Sequence, residues 1–333
     1  MDLKEITIEQ VKGNTWVLKS WVVIPFYKVD DSRCILLDSG IRGQEQPIED
    51  ALAGMGLSCV GIIGSHAHMD HTGSHAYFQK KHGAKIAMSL GEAGIQSSQL
   101  GLEMQSGNLS PKQVAKDDRL KGTECVADII IMPQDRTVTI AGATFDVIHT
   151  PGHTSDHIVI RTPDHVLYLG DAIMTGRELY KAKFPYALSI AGYFESLSLL
   201  RTEPADFFIA AHWGVYTEIM SFIDMEIRFL AKRMEEILEL VTEKMTVPGL
   251  TRKMCEAYHI SAHKLADISY FERATRAYLY YLLDRDQLEL MIEDNTLWFQ
   301  RTPQSYQTEK KDGENLLPRP GMLSVALATA PKT

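Results

Sequence analysis

Within GSHAHMDHTG, residues 64–73, three of the chain's twelve histidines and an aspartate fall between His66 and His71. Imidazole and carboxylate together make the donor set of a divalent cation, and zinc takes about four such ligands at a time. In an extended segment, side chains two apart point the same way, so His66 and His68 can share one ion. Asp70 and His71 are adjacent and diverge on an extended backbone; a turn into a helix aims both at a second ion instead. A polar helix start, with Asp70 near the positive end of the dipole and solvated histidines around it, would use the same residue types. Four donors this close, directly behind the apolar run CVGIIG, favour metal. The pattern predicts two adjacent metal sites on a loop at a strand's C-terminal end.

One loop cannot complete two sites, because each ion needs about four donors and a catalytic ion keeps one position for water. Three later segments each end an apolar run on a suitable side chain. TPGHTSDH places His153 after a Pro-Gly turn. YLGDA places Asp171 where an unpaired buried carboxylate would be costly. AAHWG places His212 at the end of ADFFIA. Taken together they supply the missing donors.

The elements that must position these residues are legible in outline. TWVLKSWVVIPFYKV, the turn VDDS and CILLDSG read as strands of a meander, and CVGIIGSH as a strand running into the histidine cluster. HTGSHAYFQKKHG reads as a short helix closed by Gly83, with AKIAMSL as the next strand, a β-α-β step. Residues 136–172 read as two hairpins, turning at Ala141-Gly142 and at Pro163-Asp164, and 92–125 as helices and loops. Beyond residue 218 the period changes: Ile223, Ile227, Leu230, Met234, Leu238 and Val241 recur on one long helix. Two further helices and a hairpin about an Asp-Asn turn follow, a winged-helix-like order. The expected division is a first domain over 1–218, a helical, winged-helix-like domain over 219–301 and a mobile tail over 302–333.

These motifs, in this order, resemble the metallo-β-lactamase superfamily of metal-dependent hydrolases: LLDSG with Asp38, HAHMDH (66–71), PGHT (151–154), GDA (170–172) and AAHWG (210–214). The resemblance covers about residues 10–215. It implies an α+β fold, an αββα sandwich with a dinuclear site at one sheet edge. It further implies that His66, His68 and His153 hold one ion, that Asp70, His71 and His212 hold the other, and that Asp171 bridges the two. Asp38 is then expected to steady the histidine loop, although a plain turn carboxylate would look the same. The ions are expected to be two Zn²⁺ per chain, with iron or manganese as alternatives. Two cations about 3.5 Å apart acidify a shared, bridging water to hydroxide near neutral pH and polarise a carbonyl. Asp70 is the candidate to take up the released proton.

Departures within the superfamily narrow the substrate. His68 stands where flavin-linked di-iron reductases of this fold carry Glu. Asp171 argues against a dedicated β-lactamase, while leaving β-lactam turnover open as an alternative activity. TGRELYKAKFPY lacks the Gly-Cys-Gly-Arg stretch of glutathione thioester hydrolases, and no Pro-x-Lys-x-Arg-Asn stretch of transfer-RNA processing enzymes occurs. Tyr180, on the loop after Asp171 with Lys183 and Tyr186, is the candidate donor to a substrate oxygen, as in lactonases of similar sequence; a packing aromatic is the competing reading.

Composition sets the outer bounds. A formal charge of −9 disfavours polyanions, and residues 221–300 carry fourteen Asp/Glu against ten Lys/Arg, a poor footprint for DNA. Four cysteines without C-x-x-C spacing and an acidic N-terminal stretch suggest a cytoplasmic protein with reduced thiols. The expectation is a cytoplasmic dinuclear zinc hydrolase acting on a small thioester, lactone or other ester, with no nucleic acid or membrane partner and a homodimer left open. The competing expectations are a metal-containing sensor or binding module and a mononuclear iron dioxygenase of the same fold.

Overall fold

The structure, a computed structural model, describes residues 5–107, 109–117, 120–212, 214–303 and 305. Strands β1 (Thr7–Lys12), β2 (Thr15–Lys19), β3 (Val23–Lys28) and β4 (Arg33–Leu37) are joined by short turns and pair antiparallel in chain order. Helix α1 (Glu45–Gly54) then intervenes, and β5 (Ser58–Ile63) joins β4 in parallel, since a parallel neighbour needs a crossover. One helical turn, α2 (Met69–Thr72), and α3 (His75–His82) lead to β6 (Lys85–Ser89), again parallel. Gly83 ends α3 at φ 67°, the left-handed cap expected there. Helices α4 (Leu90–Gln96), α5 (Gln99–Gln105) and α6 (Pro111–Val114) precede β7 (Ile129–Ile131), which completes a seven-stranded sheet in chain order.

The second sheet starts with the two expected hairpins, β8 (Thr137–Ile140) with β9 (Ala143–His149) and β10 (Ile158–Arg161) with β11 (Val166–Tyr168). Helices α7 (Gly176–Ala182) and α8 (Ile190–Leu200) cross over to β12 (Phe207–Ala210), which pairs β11 in parallel, and β13 (Gly214–Tyr216) forms the far edge of six strands. The period-two alternation of each strand divides its side chains between two cores. Ile35, Leu37 and Ile63 face Phe145, Val147, Ile158 and Tyr168 across the gap between sheets. Leu36, Ile62 and Ile86 turn outward onto Ile48 and Leu52 of α1 and Phe78 of α3. On the other side Val159 and Leu167 pack on Phe194 and Leu197 of α8. Each such side chain contributes about 1.5–3 kcal/mol by leaving water, and the result is the αββα sandwich.

Helices α9 (Met220–Leu240), α10 (Val247–Ala257) and α11 (Leu265–Asp284) follow, then the hairpin β14 (Leu288–Glu293) and β15 (Thr296–Arg301). Asp294 and Asn295 turn it at φ 49° and 58°, the left-handed pair a two-residue hairpin requires. The α9 stripe buries Ile223, Leu230, Met234 and Leu238 in a cluster that also holds Leu167 of the second sheet, Phe194 of α8 and Tyr278 of α11. The change of period near residue 218 is therefore a change of secondary structure, and the hydrophobic core runs through it without a break. Apart from residues 302, 303 and 305, the expected tail lies outside the described residues.

Candidate metal centre

The chain leaves β5 extended, with His68 at φ −69° and ψ 146°, and then makes the single turn of α2. That turn is what brings Asp70 and His71 to one side. His66 and His71 are each oriented through Nδ1: His66 Nδ1 lies 3.0 Å from Ser65 Oγ, and His71 Nδ1 donates to Asp38 Oδ2 at 2.7 Å. Their Nε2 atoms are left facing the site, buried and without a hydrogen-bond partner. Asp38 itself is fully buried and accepts from four groups: Ser65 N at 2.6 Å on Oδ1, and Ser65 Oγ, His71 Nδ1 and Tyr168 Oη on Oδ2. Its side chain therefore steadies the histidine loop, the task the sequence suggested for it.

Two donor groups result, each with its ligand atoms within 4.8 Å of one another: His66, His68, His153 and Asp171, and beside it Asp70, His71 and His212. In the first, His153 Nε2 lies 2.9 Å from His68 Nδ1 and 3.3 Å from Asp171 Oδ2. In the second, His212 Nε2 lies 3.5 Å from Asp70 Oδ2, and both His212 Nε2 and His71 Nε2 lie 3.4 Å from Asp171 Oδ1. Asp171 thus turns one oxygen to each group. Donors about 2.0–2.1 Å from a tetrahedral zinc sit roughly 3.3 Å apart, inside the 2.9–3.8 Å range of the donor pairs. A shared proton could satisfy the His68–His153 pair, but it leaves the buried Nε2 of His66 with nothing, so the residues fit metal ions. Asp38, His66 and His71 form a third close group, but both oxygens of Asp38 are already taken by the donors just named.

Electrostatics separate the two groups. Burial, reinforced by neighbouring imidazoles, holds His66 and His68 far below the usual histidine range, and burial also lowers His153. All three are thereby held neutral, the form in which an imidazole can ligate an ion. Burial pushes His71 and His212 down as well, but Asp171 leads the carboxylates that outweigh it and raise both. Burial would raise Asp171; His71 and His212 overcome it and hold the carboxyl well below its ordinary value. The second group is therefore a place where positive charge is wanted, met by protons or, better, by a dication.

Close backbone approach fixes the loops. A Cβ on Gly73 would come within 2.2 Å of Arg42 N, so only glycine lets the α2 turn lie against the Asp38 loop. Gly152, at φ 140°, lies equally tight against Tyr193 of α8 and holds the His153 turn in place. His157 does not face either group as a ligand: its Nδ1 pairs with Thr150 Oγ1 at 2.8 Å and its Nε2 accepts from Asp171 N at 3.2 Å. Ser65 and Tyr168 escaped the sequence reading. The second had a signal, since a tyrosine inside a wholly apolar strand needs a partner for its hydroxyl.

The centre forms the floor of a cleft of about 1070 Å³. Its walls include Trp21, Leu102 and Tyr186, together with Tyr270, Phe271 and Arg273 of α11, so the C-terminal helices complete it. Tyr180 is not among the lining residues; it is 67% exposed, with its ring edge-on to Phe229 at 5.4 Å. Tyr186 stands nearer the donors, its ring 6.2 Å from that of His68 and 6.0 Å from that of His153. Arg273 Nη1 donates to the Tyr186 hydroxyl at 3.3 Å, and burial pushes that phenol up, so it keeps its proton. Lys183 turns away, donating to the carbonyls of Tyr258 and His259.

A αββα sandwich with this donor set defines a class, and sequence comparison agrees: the profile of the Metallo-beta-lactamase superfamily matches residues 14–212. The chain belongs to the metallo-β-lactamase superfamily of hydrolases. It is 27% identical over 221 residues to the Beta-lactamase-like protein 2 homolog of Drosophila melanogaster, covering 64% of this chain and 66% of that protein. It is 27% identical over 167 residues to the Hydroxyacylglutathione hydrolase of Pseudoalteromonas translucida, covering 49% of this chain and 50% of that one. The chain thus spans two thirds or less of these relatives' length. Among solved structures, a beta-lactamase domain protein from Burkholderia ambifaria superposes with a TM-score of 0.68 at 17% identity, covering 90% of this chain and 95% of its own. The shared fold therefore extends well past the stretch matched by the profile.

Proposed function

We propose that the chain is a dinuclear zinc-dependent hydrolase that cleaves a small ester-type substrate, a thioester or a lactone. The observation that carries this reading is Asp171, with one carboxylate oxygen in each donor group. His66, His68 and His153 would hold one ion and Asp70, His71 and His212 the other, with Asp171 between them as the shared carboxylate. Nitrogen-rich donors with carboxylates suit zinc, with iron and manganese as alternatives. When bound, such a pair supplies an acidified water and Lewis acidity toward a carbonyl.

The chain's own residues do the rest. Asp70, part exposed at the cleft, is placed to accept the proton released as the ester is attacked. The protonated Tyr186 hydroxyl, turned by Arg273, donates to the substrate carbonyl or leaving oxygen, the role the sequence suggested for Tyr180. The aromatic walls and the helical C-terminal segment exclude water and take the acyl portion. Relatives named Hydroxyacylglutathione hydrolase and Atrochrysone carboxyl ACP thioesterase support the ester class, and the charge of −9 fits a small molecule better than a nucleic acid. Four free cysteines fit a cytoplasmic setting, and no helix among the described residues is long and apolar enough to cross a membrane.

The test is a panel of thioesters, acyl-homoserine lactones, β-lactams and phosphodiesters, run on metal-counted protein before and after chelation. Turnover of a thioester or lactone that disappears with chelation and returns with Zn²⁺ is expected. Chelated protein as active as untreated protein, or one functional iron per chain, would overturn the reading.

A further inference from the structure

Glu92 stands in the first turn of α4, is fully buried, and belongs to neither donor group. Its carboxylate accepts two backbone amides: Ala67 N on Oε2 at 2.8 Å and Asp156 N on Oε1 at 3.1 Å. Ala67 stands between His66 and His68, and Asp156 lies three residues beyond His153. The two amides come from loops on different sheets, one following β5 and the other joining β9 to β10. The start of α4 reinforces the second grip, for Ser89 Oγ donates to Asp156 O at 2.5 Å and Gly91 N donates to Asp156 Oδ2 at 2.8 Å.

The three-histidine group depends on that junction. His68 and His153 are 85 residues apart in the chain, yet their nitrogens must be held within about 0.5 Å of the right separation to share an ion. A buried carboxylate is costly unless its acceptors are used, and here both are used on the backbones that carry the ligands. Among the described hydrogen bonds none runs from Glu92 to Asp70, His71 or His212 themselves.

We propose that Glu92 is the positioning residue of the three-histidine half: by accepting both amides it sets the spacing of the His66/His68 loop and the His153 loop, and with it that half's affinity for its ion. The proposal rests on the metal reading above. Glu92 touches no donor atom of either group, and it reaches the Asp70/His71/His212 half only through the turn that follows His68, so its effect there is the smaller one.

The experiment is a zinc titration of the metal-stripped full chain against a chromophoric chelator, in two backgrounds. Asp70→Ala/His212→Ala retains the three-histidine half, and His68→Ala/His153→Ala retains the other. Adding Glu92→Gln, which keeps one acceptor but turns an NH₂ toward the second amide, is expected to weaken zinc about 10-fold or more in the first background. In the second background the change is expected to stay under about threefold. Equal losses in both, or no loss in the first, overturn the proposal while the metal reading stands. Wild-type protein that takes up no zinc overturns both. Should Glu92→Gln not fold by circular dichroism, Glu92→Asp, one methylene too short to reach both amides, runs the same cycle with the same outcomes.

Discussion

Asp38 Oδ2 and His71 Nδ1 lie 2.7 Å apart, both side chains fully buried, so that a carboxylate outside the donor set decides which nitrogen of a proposed ligand faces the centre. Asn at this position would keep one acceptor and place an NH₂ among groups that all donate. Asp38→Asn is expected to lower zinc affinity about 10–100-fold, and Asp38→Ala to cost about 3–5 kcal/mol of stability through the buried partners it strands. Zinc titration and urea unfolding of the metal-free protein read the two effects. Unchanged zinc affinity in Asp38→Asn would show that His71 needs no such support.

The roles proposed for Asp171, a bridge, and His212, a ligand of one ion, predict different metal contents. After dialysis against buffer, wild-type protein is expected to keep about two zinc ions per chain, His212→Ala about one, and Asp171→Ala fewer than one. Elemental analysis counts them. If Asp171→Ala kept as much metal as His212→Ala, the bridging role would be lost.

Tyr186 and Tyr180 are six residues apart and face different surroundings. Tyr186→Phe is expected to lower kcat about 10²–10³-fold, the usual loss for one donor to a developing oxyanion, with zinc content and KM little changed. Tyr180→Phe is expected to leave both constants alone, since its ring lies outside the cleft. The reverse pattern would return the role to Tyr180.

Glu226 of α9 accepts from Tyr193 Oη at 2.7 Å and from Met174 N at 2.9 Å, three residues past Asp171. Burial pushes its carboxyl up to about 8 from 4.5, against the pull of those two bonds. Because the folded value is raised, the folded chain holds a proton that the unfolded chain has lost between these two values. The contribution is full below pH 4.5, falls as pH rises through that window, and is lost above about 8. Glu226→Gln mimics the protonated acid, so its stability advantage over wild type is expected to grow from pH 5 to pH 8 by several kcal/mol. Urea unfolding at both values measures it; a pH-independent difference would mean that the carboxyl is ionised throughout.

The first four donors of the candidate site were legible because their signal is local. His66, His68, Asp70 and His71 fall within six positions, and a strand followed by a turn brings them to one side. His153, Asp171 and His212 each ended an apolar run, and chain order alone matched them to a family. The hairpins at Ala141-Gly142 and Asp294-Asn295 were legible for the same reason, since a two-residue turn with left-handed backbone is written in the residues that occupy it.

What the sequence by itself determined was the inventory: the donors, their order, the strand-ended loops that present them and the long amphipathic helix after residue 218. Helices α1, α7 and α8 were not read from it, because in short segments such as Gly176–Ala182 packing outweighs a weak period. Only the tertiary structure decided which groups meet across the sheets. It turned Tyr180 outward and Tyr186 inward, tied the C-terminal helices into the core of the second sheet, and set Asp38 and Glu92 behind the donor residues. Those pairings depend on contacts between residues tens of positions apart, and no local propensity records them, because each side chain's partner is chosen by how the two sheets close on one another.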